Sequence, residues 1–355
     1  MMPQSTIIPE DFDEPLDIGE GDEDASEEVL WYLPGPIEEE PDYRPPGPRA
    51  GQPEKGLIDD WARAEADQAA LLARVAGRLG ALDDRLARAP KGWLHRLALI
   101  EAADLSWFAG DRVGPDRLAL WISMRLSGAQ DDPNALARIG WAVRRLTGGP
   151  DPIVDIAAFL DRRDPENIDE NAERFDDRAS GWLDLMKQAA DLHPITRACM
   201  GFHLWSLAGL GQQGDRVEAA VTAARIAASE GNGPIFAPLA MGGAGGLRAS
   251  GPSAERLKQW LEGMQTAILM AMRRLDDIQS WSAKAKAEMS TLSGKTPPVL
   301  SALLTEWPLV SAPMAEMWIG ASRATAQRNL AWIEAKGLIR EVTGQGRFRM
   351  WSIAI

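Results

Sequence analysis

The stretch Ser322-Arg-Ala-Thr-Ala-Gln-Arg-Asn-Leu-Ala-Trp-Ile-Glu-Ala-Lys-Gly337-Leu-Ile-Arg-Glu-Val342 decides how the end of this 355-residue chain folds. Ser322 is a strong N-cap residue, because its hydroxyl accepts from a free amide in the first helical turn. Ala326, Leu330 and Ile333 recur at i, i+4 and i+7, the spacing of one buried stripe on a helix that runs to about Lys336. Gly337 then suits a left-handed helix end. Beyond it, Leu338–Val342 and Phe348–Ile353 read as two strands joined by Thr343-Gly-Gln-Gly346.

Upstream, Thr296-Pro-Pro298 opens a new unit, Val299–Glu306 supplies a first helix, and Trp307-Pro308 breaks it. Ser311 caps a short second helix containing Met314, Ala315 and Met317. Three helices at this spacing followed by a hairpin predict a winged helix-turn-helix over residues 295–355. Arg323, Thr325, Gln327 and Arg328 lie off the buried stripe and are of the types that contact phosphates and base edges. Arg347 and Arg349, two residues apart, are expected on one strand face, suited to phosphate or the minor groove. Double-stranded DNA is therefore the expected partner.

Charge first argues the other way, since the whole chain carries -14. Residues 1–42, however, hold fifteen Asp or Glu and no Lys or Arg, leaving 38 basic against 37 acidic residues elsewhere. Residues 295–355 hold seven basic and four acidic side chains. Local rather than total charge decides phosphate affinity, and this modest excess predicts salt-sensitive binding that gains from a homodimer. Residues 1–55 read as an acidic, proline-containing disordered tail, with Val29-Leu-Trp-Tyr-Leu33 as a strap or partner-binding segment.

Residues 56–291 carry helical patterning rich in Ala, Leu and Arg. Helices are expected at 57–80, 92–109, 115–127, 133–147, 151–161, 169–191, 194–208, 216–230 and 253–291. Pro115, Pro133 and Pro152 stand near helix starts, and Gly110, Gly128 and Gly148 near ends. Trp61, Trp93, Trp107, Trp121, Trp141, Trp182, Trp205 and Trp260 are expected in the core. The fold class is thus mainly α: a multi-helix body plus a C-terminal α+β winged helix-turn-helix. The amphipathic segment 253–289 is expected to join the two parts or to pair two subunits.

Candidate chemistry in the body is sparse. Cys199, the single cysteine, excludes an internal disulfide and reads as a small buried residue. His95, His193 and His203 lack metal-ligand spacing, and Asp161, Asp164, Glu166, Asp169 and Glu170 read as solvated charges, so no metal and no cofactor are expected. Gly209-x-Gly211-x-x-Gly214 matches a dinucleotide fingerprint but follows a helix rather than a strand. With Arg216 it is kept as an anion-binding loop. Gly242-Gly-Ala-Gly-Gly246 lacks the lysine and hydroxyl residue of a P-loop and reads as a flexible connector. Without a long apolar run or a secretory signal, a cytoplasmic protein with no membrane partner is expected.

The pattern Ser322-x-x-Thr325-Ala326-x-x-x-Leu330-x-x-Ile333-x-x-x-Gly337-Leu338-Ile339, followed by Arg340-Glu-Val-Thr-Gly-x-Gly-Arg347, resembles the winged-helix tail of many Fic-family proteins. The chain after the tail also resembles an alphaproteobacterial, often plasmid-associated family with a helix-turn-helix C-terminus. More weakly, His193-Pro-Ile-Thr-Arg-Ala198 resembles the helix leading to the Fic active loop, and Glu101–Ser106 followed by Gly110 the region of its inhibitory motif. The comparable loop here, Leu207–Arg216, has no histidine, and Ala109 stands where the inhibitory glutamate would be. The resemblance therefore implies a scaffold without the catalytic base. The expected function is a DNA-binding regulator of transcription or plasmid maintenance whose helical body receives a protein or small ligand. An active nucleotide-dependent modifying enzyme and a structural assembly factor are the alternatives.

Overall fold

Helix-end chemistry sets the boundaries of the body. The computed structural model describes residues 53–124, 131–162, 174–211, 216–231, 236–320 and 322–355, with Gln52–Ile355 forming one compact unit. The acidic segment 1–52, including Val29–Leu33, lies outside the described residues, as do Asp164, Glu166, Asp169 and Glu170. The body runs α1 Pro53–Asp67, α2 Ala69–Ala87, α3 Lys91–Ala109, α4 Pro115–Met124, α5 Pro133–Thr147, α6 Ile156–Leu160, α7 Phe175–Gln188, α8 Pro194–Leu204, α9 Val217–Ala227 and α10 Ser253–Met289. Asp132 accepts from the Asn134 amide just before Pro133, and Asp155 accepts from Ala158 to start α6. Gly110, at φ +96°, closes α3.

Several expectations are corrected. Residues 53–55 belong to α1 rather than to the tail. The helix expected at 57–80 is two, because Gln68 takes φ -103° and ψ 12° and shares its N–H between the Ala64 and Glu65 carbonyls. The segment 151–161 is helical only from Ile156 to Leu160, since Asp151 caps a turn of its own by accepting from the Ile153 amide. Trp107 is not a core residue: it is 58% exposed, with the Arg112 guanidinium 5.7 Å from its ring. Trp61, Trp93, Trp141, Trp182, Trp205 and Trp260 are buried as their apolar area demands.

α10 is the axis on which the unit is assembled. Its 37 residues span about 55 Å at the helical rise. Leu257, Trp260, Leu261, Met264, Ile268, Leu275, Ile278 and Trp281 lie buried along it, against α1, α2, α8 and the C-terminal helix α11 (Thr296–Glu306). The apolar face is thus spent within the chain. Near its start, α10 passes the 3-10 turn Gly246–Arg248 so closely that a Cβ on Gly263 would sit 2.2 Å from the Gly246 nitrogen. Gly263→Ala is expected to destabilise the protein by about 1–3 kcal/mol, read as a lowered urea midpoint, because backbone cannot yield as a side-chain tip does. An unchanged midpoint would show that the two segments part easily.

After α11 come β1 Val310–Ser311, α12 Ala312–Ile319, α13 Arg323–Ala335, β2 Ile339–Glu341 and β3 Met350–Ile353. The three strands form an antiparallel sheet in the order β1-β3-β2, with Val310 opposite Trp351 and Ile339 opposite Ile353. Mainly α architecture with a winged helix-turn-helix tail is what the structure shows. Two residues of β1 are too short to display an alternation, so only the hairpin was expected.

The module is anchored on the body by polar contacts, buried at Arg96 and Trp281 and exposed at Arg340. Arg96 of α3 donates to the carbonyls of Thr305 (3.2 Å), Leu304 (2.5 Å) and Trp307 at the end of α11. The Trp281 indole N–H of α10 donates to the Leu338 carbonyl at 2.6 Å. Arg340 pairs with Asp116 of α4. Gly92 lets the end of α11 come close, since a Cβ there would meet the Glu306 carbonyl oxygen at 2.0 Å.

Candidate nucleic-acid interface

Two serine caps place the helix-turn-helix. Ser311 accepts from the Met314 amide at 3.3 Å to start α12, and Gly320 at φ +65° ends it. Ser322 accepts from the Thr325 amide at 3.4 Å to start α13, and Gly337 at φ +67° follows its end. Ala326, Leu330 and Ile333 are buried, as the stripe requires. The opposite side of α13 is left to solvent, with the positive end of the helix dipole at Ser322.

The exposed residues of α13 divide between two directions. Arg323, Gln327 and Ala331 line a groove of about 730 Å³, whose far wall is the wing from Gly346 to Trp351. Arg328 lies outside this lining and reaches Thr325 Oγ1 at 3.3 Å. Thr325 is half-buried and tied to the Ser322 hydroxyl at 3.1 Å, so it belongs to the helix start as much as to the open face. Ser123 and Met124, at the end of α4, close one edge of the groove. Sequence patterning gave no sign that the body would reach this surface, because the approach depends on how α4 packs.

The wing departs from the expected regular strand. β3 begins only at Met350, and Phe348 adopts φ +57°, a conformation uncommon for a bulky side chain. Alternation is therefore interrupted between Arg347 and Arg349, and the two do not share a strand face. Arg347 is exposed, whereas Arg349 donates to both Glu334 oxygens at 3.1 Å and lies 4.9 Å from the Trp351 ring. Phe348 is 77% exposed between them and was missed, since an aromatic in a strand pattern reads as core. The start of the wing is pinned by Glu341, which accepts from the Thr343 hydroxyl and from the Thr343 (2.8 Å) and Gly344 (2.9 Å) amides. Slight burial works against ionisation there, but those hydrogen bonds hold the carboxyl below its ordinary range.

The other candidate residues are placed in the body. Gly209, at φ +62°, has its carbonyl engaged by Arg178 at 3.2 Å, Gly211 lies in a bend, and Gly214 is outside the described residues. Arg216 stands before α9 with its guanidinium 5.8 Å from the Phe202 ring. His193 caps α8 by accepting from the Ile195 amide at 3.1 Å, and His95 Nδ1 is 3.4 Å from the Lys91 carbonyl. His203 is held down to about 4 by burial and by the nearby Arg256 and Arg216. Cys199 is fully buried, which pushes its thiol well up. Among the described residues no three His, Cys, Asp or Glu gather as metal ligands, and no helix is long and apolar enough to cross a membrane.

No curated protein shows significant similarity to the chain. Residues 297–354 match a family model described as an HTH DNA binding domain, a span that begins in α11 and ends just after β3. The C-terminal module is accordingly a helix-turn-helix domain similar to those that bind DNA.

Proposed function

We propose that the protein is a DNA-binding regulator of transcription or plasmid maintenance, and that its helical body receives a small ligand or partner. The observation that carries the reading is the groove in which Arg323 and Gln327 of α13 face Arg347 of the wing. Major-groove base edges suit the first pair, and phosphate or the minor groove suits the wing. Arg323, Gln327 and Arg328 choose sequence, while Arg347 and Arg349 support backbone affinity. Phe348 adds an apolar tip for the minor groove. Arg349 in addition holds the wing against α13 through its pair with Glu334. A homodimer belongs to this reading for affinity, although α10 no longer offers its apolar face to a second subunit. The Fic-like and plasmid-associated resemblances support a noncatalytic body, with Gly209, Gly211, Gly214 and Arg216 as a relic anion loop.

Fluorescence anisotropy on selected and scrambled duplexes over a salt series tests the division of labour. Arg323→Ala is expected to lose about 1–3 kcal/mol of discrimination, the worth of a good bidentate base contact. Arg347→Ala is expected to weaken all sequences alike and lower the salt slope by about 1, as loss of one phosphate contact does. If Arg328→Ala and Arg347→Ala together leave affinity and salt dependence unchanged in folded protein, a role in protein assembly replaces DNA binding.

A further inference from the structure

A cavity of about 480 Å³ lies between α3, the loop 240–248 and α10. A second, of about 350 Å³, continues from it, and the two share Ile100, Asp104 and Arg274. Its far wall belongs to the winged module, through Arg340, Ser352 and Ile353. Volumes of this size, set between packed parts of one chain, are those that take small molecules.

The chemistry of the first cavity is specific. Arg248 donates to the Gly243 carbonyl at 2.8 Å and sits 5.4 Å from the Phe108 ring; among the described residues it meets no carboxylate. Arg274 pairs with the exposed Asp277 at 3.5 Å, a surface contact that competes weakly for it, and lies near enough to Asp104 to favour that carboxylate's charged form. The carboxylate in the lining is Asp104, so two guanidiniums face one acid. Trp107, unusually exposed for a tryptophan, stands beside Phe108 on the aromatic side, and Met241, Met270 and Ile100 complete the apolar part.

The roof is built rather than slack. Gly242, Gly243 and Ala244 all have positive φ, and a Cβ on Gly242 would lie 2.8 Å from Met270 Cγ. The residues just before them are held by Glu101, whose carboxyl accepts from the Leu239 and Ala240 amides at 2.8 Å and from Met241 at 3.1 Å. Where the sequence reads as a flexible connector, Gly242, Gly243 and Ala244 form one wall of the cavity. Glycine takes such backbone without steric cost, so Ala244, at φ +51°, is the one residue of the three held in an uncommon conformation.

We propose that this cavity binds a small aromatic carboxylate, with its ring against Trp107 and Phe108 and its carboxylate on Arg248 and Arg274, and that binding changes affinity for DNA. A ring hydroxyl or amine donates to Asp104. The path to the DNA-binding module is short. Arg96, one turn before Ile100 on α3, holds the end of α11, and Trp281, two turns beyond Arg274 on α10, holds Leu338. The coupling rests on the regulatory reading above; the binding site does not.

Calorimetric titration of the full chain with salicylate, 4-hydroxybenzoate and indole-3-acetate, each beside its neutral amide, tests the site without DNA. At least one acid is expected to bind about tenfold or more tightly than its amide, and to lose that advantage in Arg248→Met with Arg274→Met, because a charge-assisted pair is removed. Methionine keeps the apolar stems, and unchanged circular dichroism melts show the variant folded. If no acid is preferred over its amide, or if the preference survives both substitutions, the site is wrong. The acid that binds is then added to the DNA titration, where a shift of severalfold in dissociation constant is expected. Binding with no such shift overturns the coupling and the sensor role of the body, while no binding to DNA either with or without the acid refutes the regulatory reading instead.

Discussion

Glu101→Ala is expected to lower stability by about 3 kcal/mol or more, because the Leu239, Ala240 and Met241 amides lose their acceptor in a place water does not reach and each such orphan costs about 1–3 kcal/mol. That is a large part of the stability of an ordinary domain. Chemical denaturation measures it, and an unaltered midpoint would show that the 239–244 loop is held by something else. Burial pushes the Glu101 carboxyl up from 4.5 to about 7, outweighing the three amides that favour the ion, and the nearby Asp104 pushes the same way. The folded protein therefore keeps this proton where the unfolded chain has released it. Its contribution to stability is complete below about 4.5 and is lost as pH rises through about 7. Glu101→Gln keeps one acceptor oxygen, enough for the Leu239 and Ala240 amides, and cannot ionise, so the change with pH in the difference between wild type and this variant isolates the effect. Parallel stability curves for the two proteins would rule it out.

Arg96→Ala is expected to loosen the winged module from the body. α11 ends with carbonyls that its own helix cannot satisfy, and the Arg96 guanidinium takes those of Leu304 and Thr305 together with that of Trp307. Burial lowers this guanidinium to about 10, still charged at neutral pH, so charged hydrogen bonds are made inside the structure. Their loss leaves buried acceptors unpaired and is expected to cost about 3 kcal/mol or more. Hydrogen exchange gives the location as well as the size: amides of residues 296–310 should exchange faster while those of α5 and α9 change less. Arg96→Lys should recover only part, because one ammonium cannot match a planar fork aimed at three carbonyls. Uniform acceleration across the body in Arg96→Ala would show that the residue supports the whole unit rather than this junction.

The helix-turn-helix was legible because its signals are local. Ser311 and Ser322 each cap an amide three residues away, Gly337 turns the chain at once, and Ala326, Leu330 and Ile333 need only the period of a helix. Arg323 and Gln327 were found by elimination from that stripe. The pairing of Arg347 with Arg349 failed for an equally local reason, the left-handed Phe348, which no alternation pattern reveals. Trp107 misled because tryptophan is usually buried, and exposure is a property of what packs nearby.

Sequence by itself determined that this chain is mainly helical, where most of its helices start and stop, and that it ends in a helix-turn-helix with a wing. Periodicity, caps and turn residues act within a few positions, so each part of the pattern can be read alone. Tertiary structure decided how the parts serve one another. It set Glu101 against amides 138–140 residues away, sent Arg96 to carbonyls 208–211 residues away, and brought Met124 to the edge of the groove lined by Gln327. Such contacts follow from helix packing and chain topology, and a buried polar group takes whichever partner the finished core presents to it.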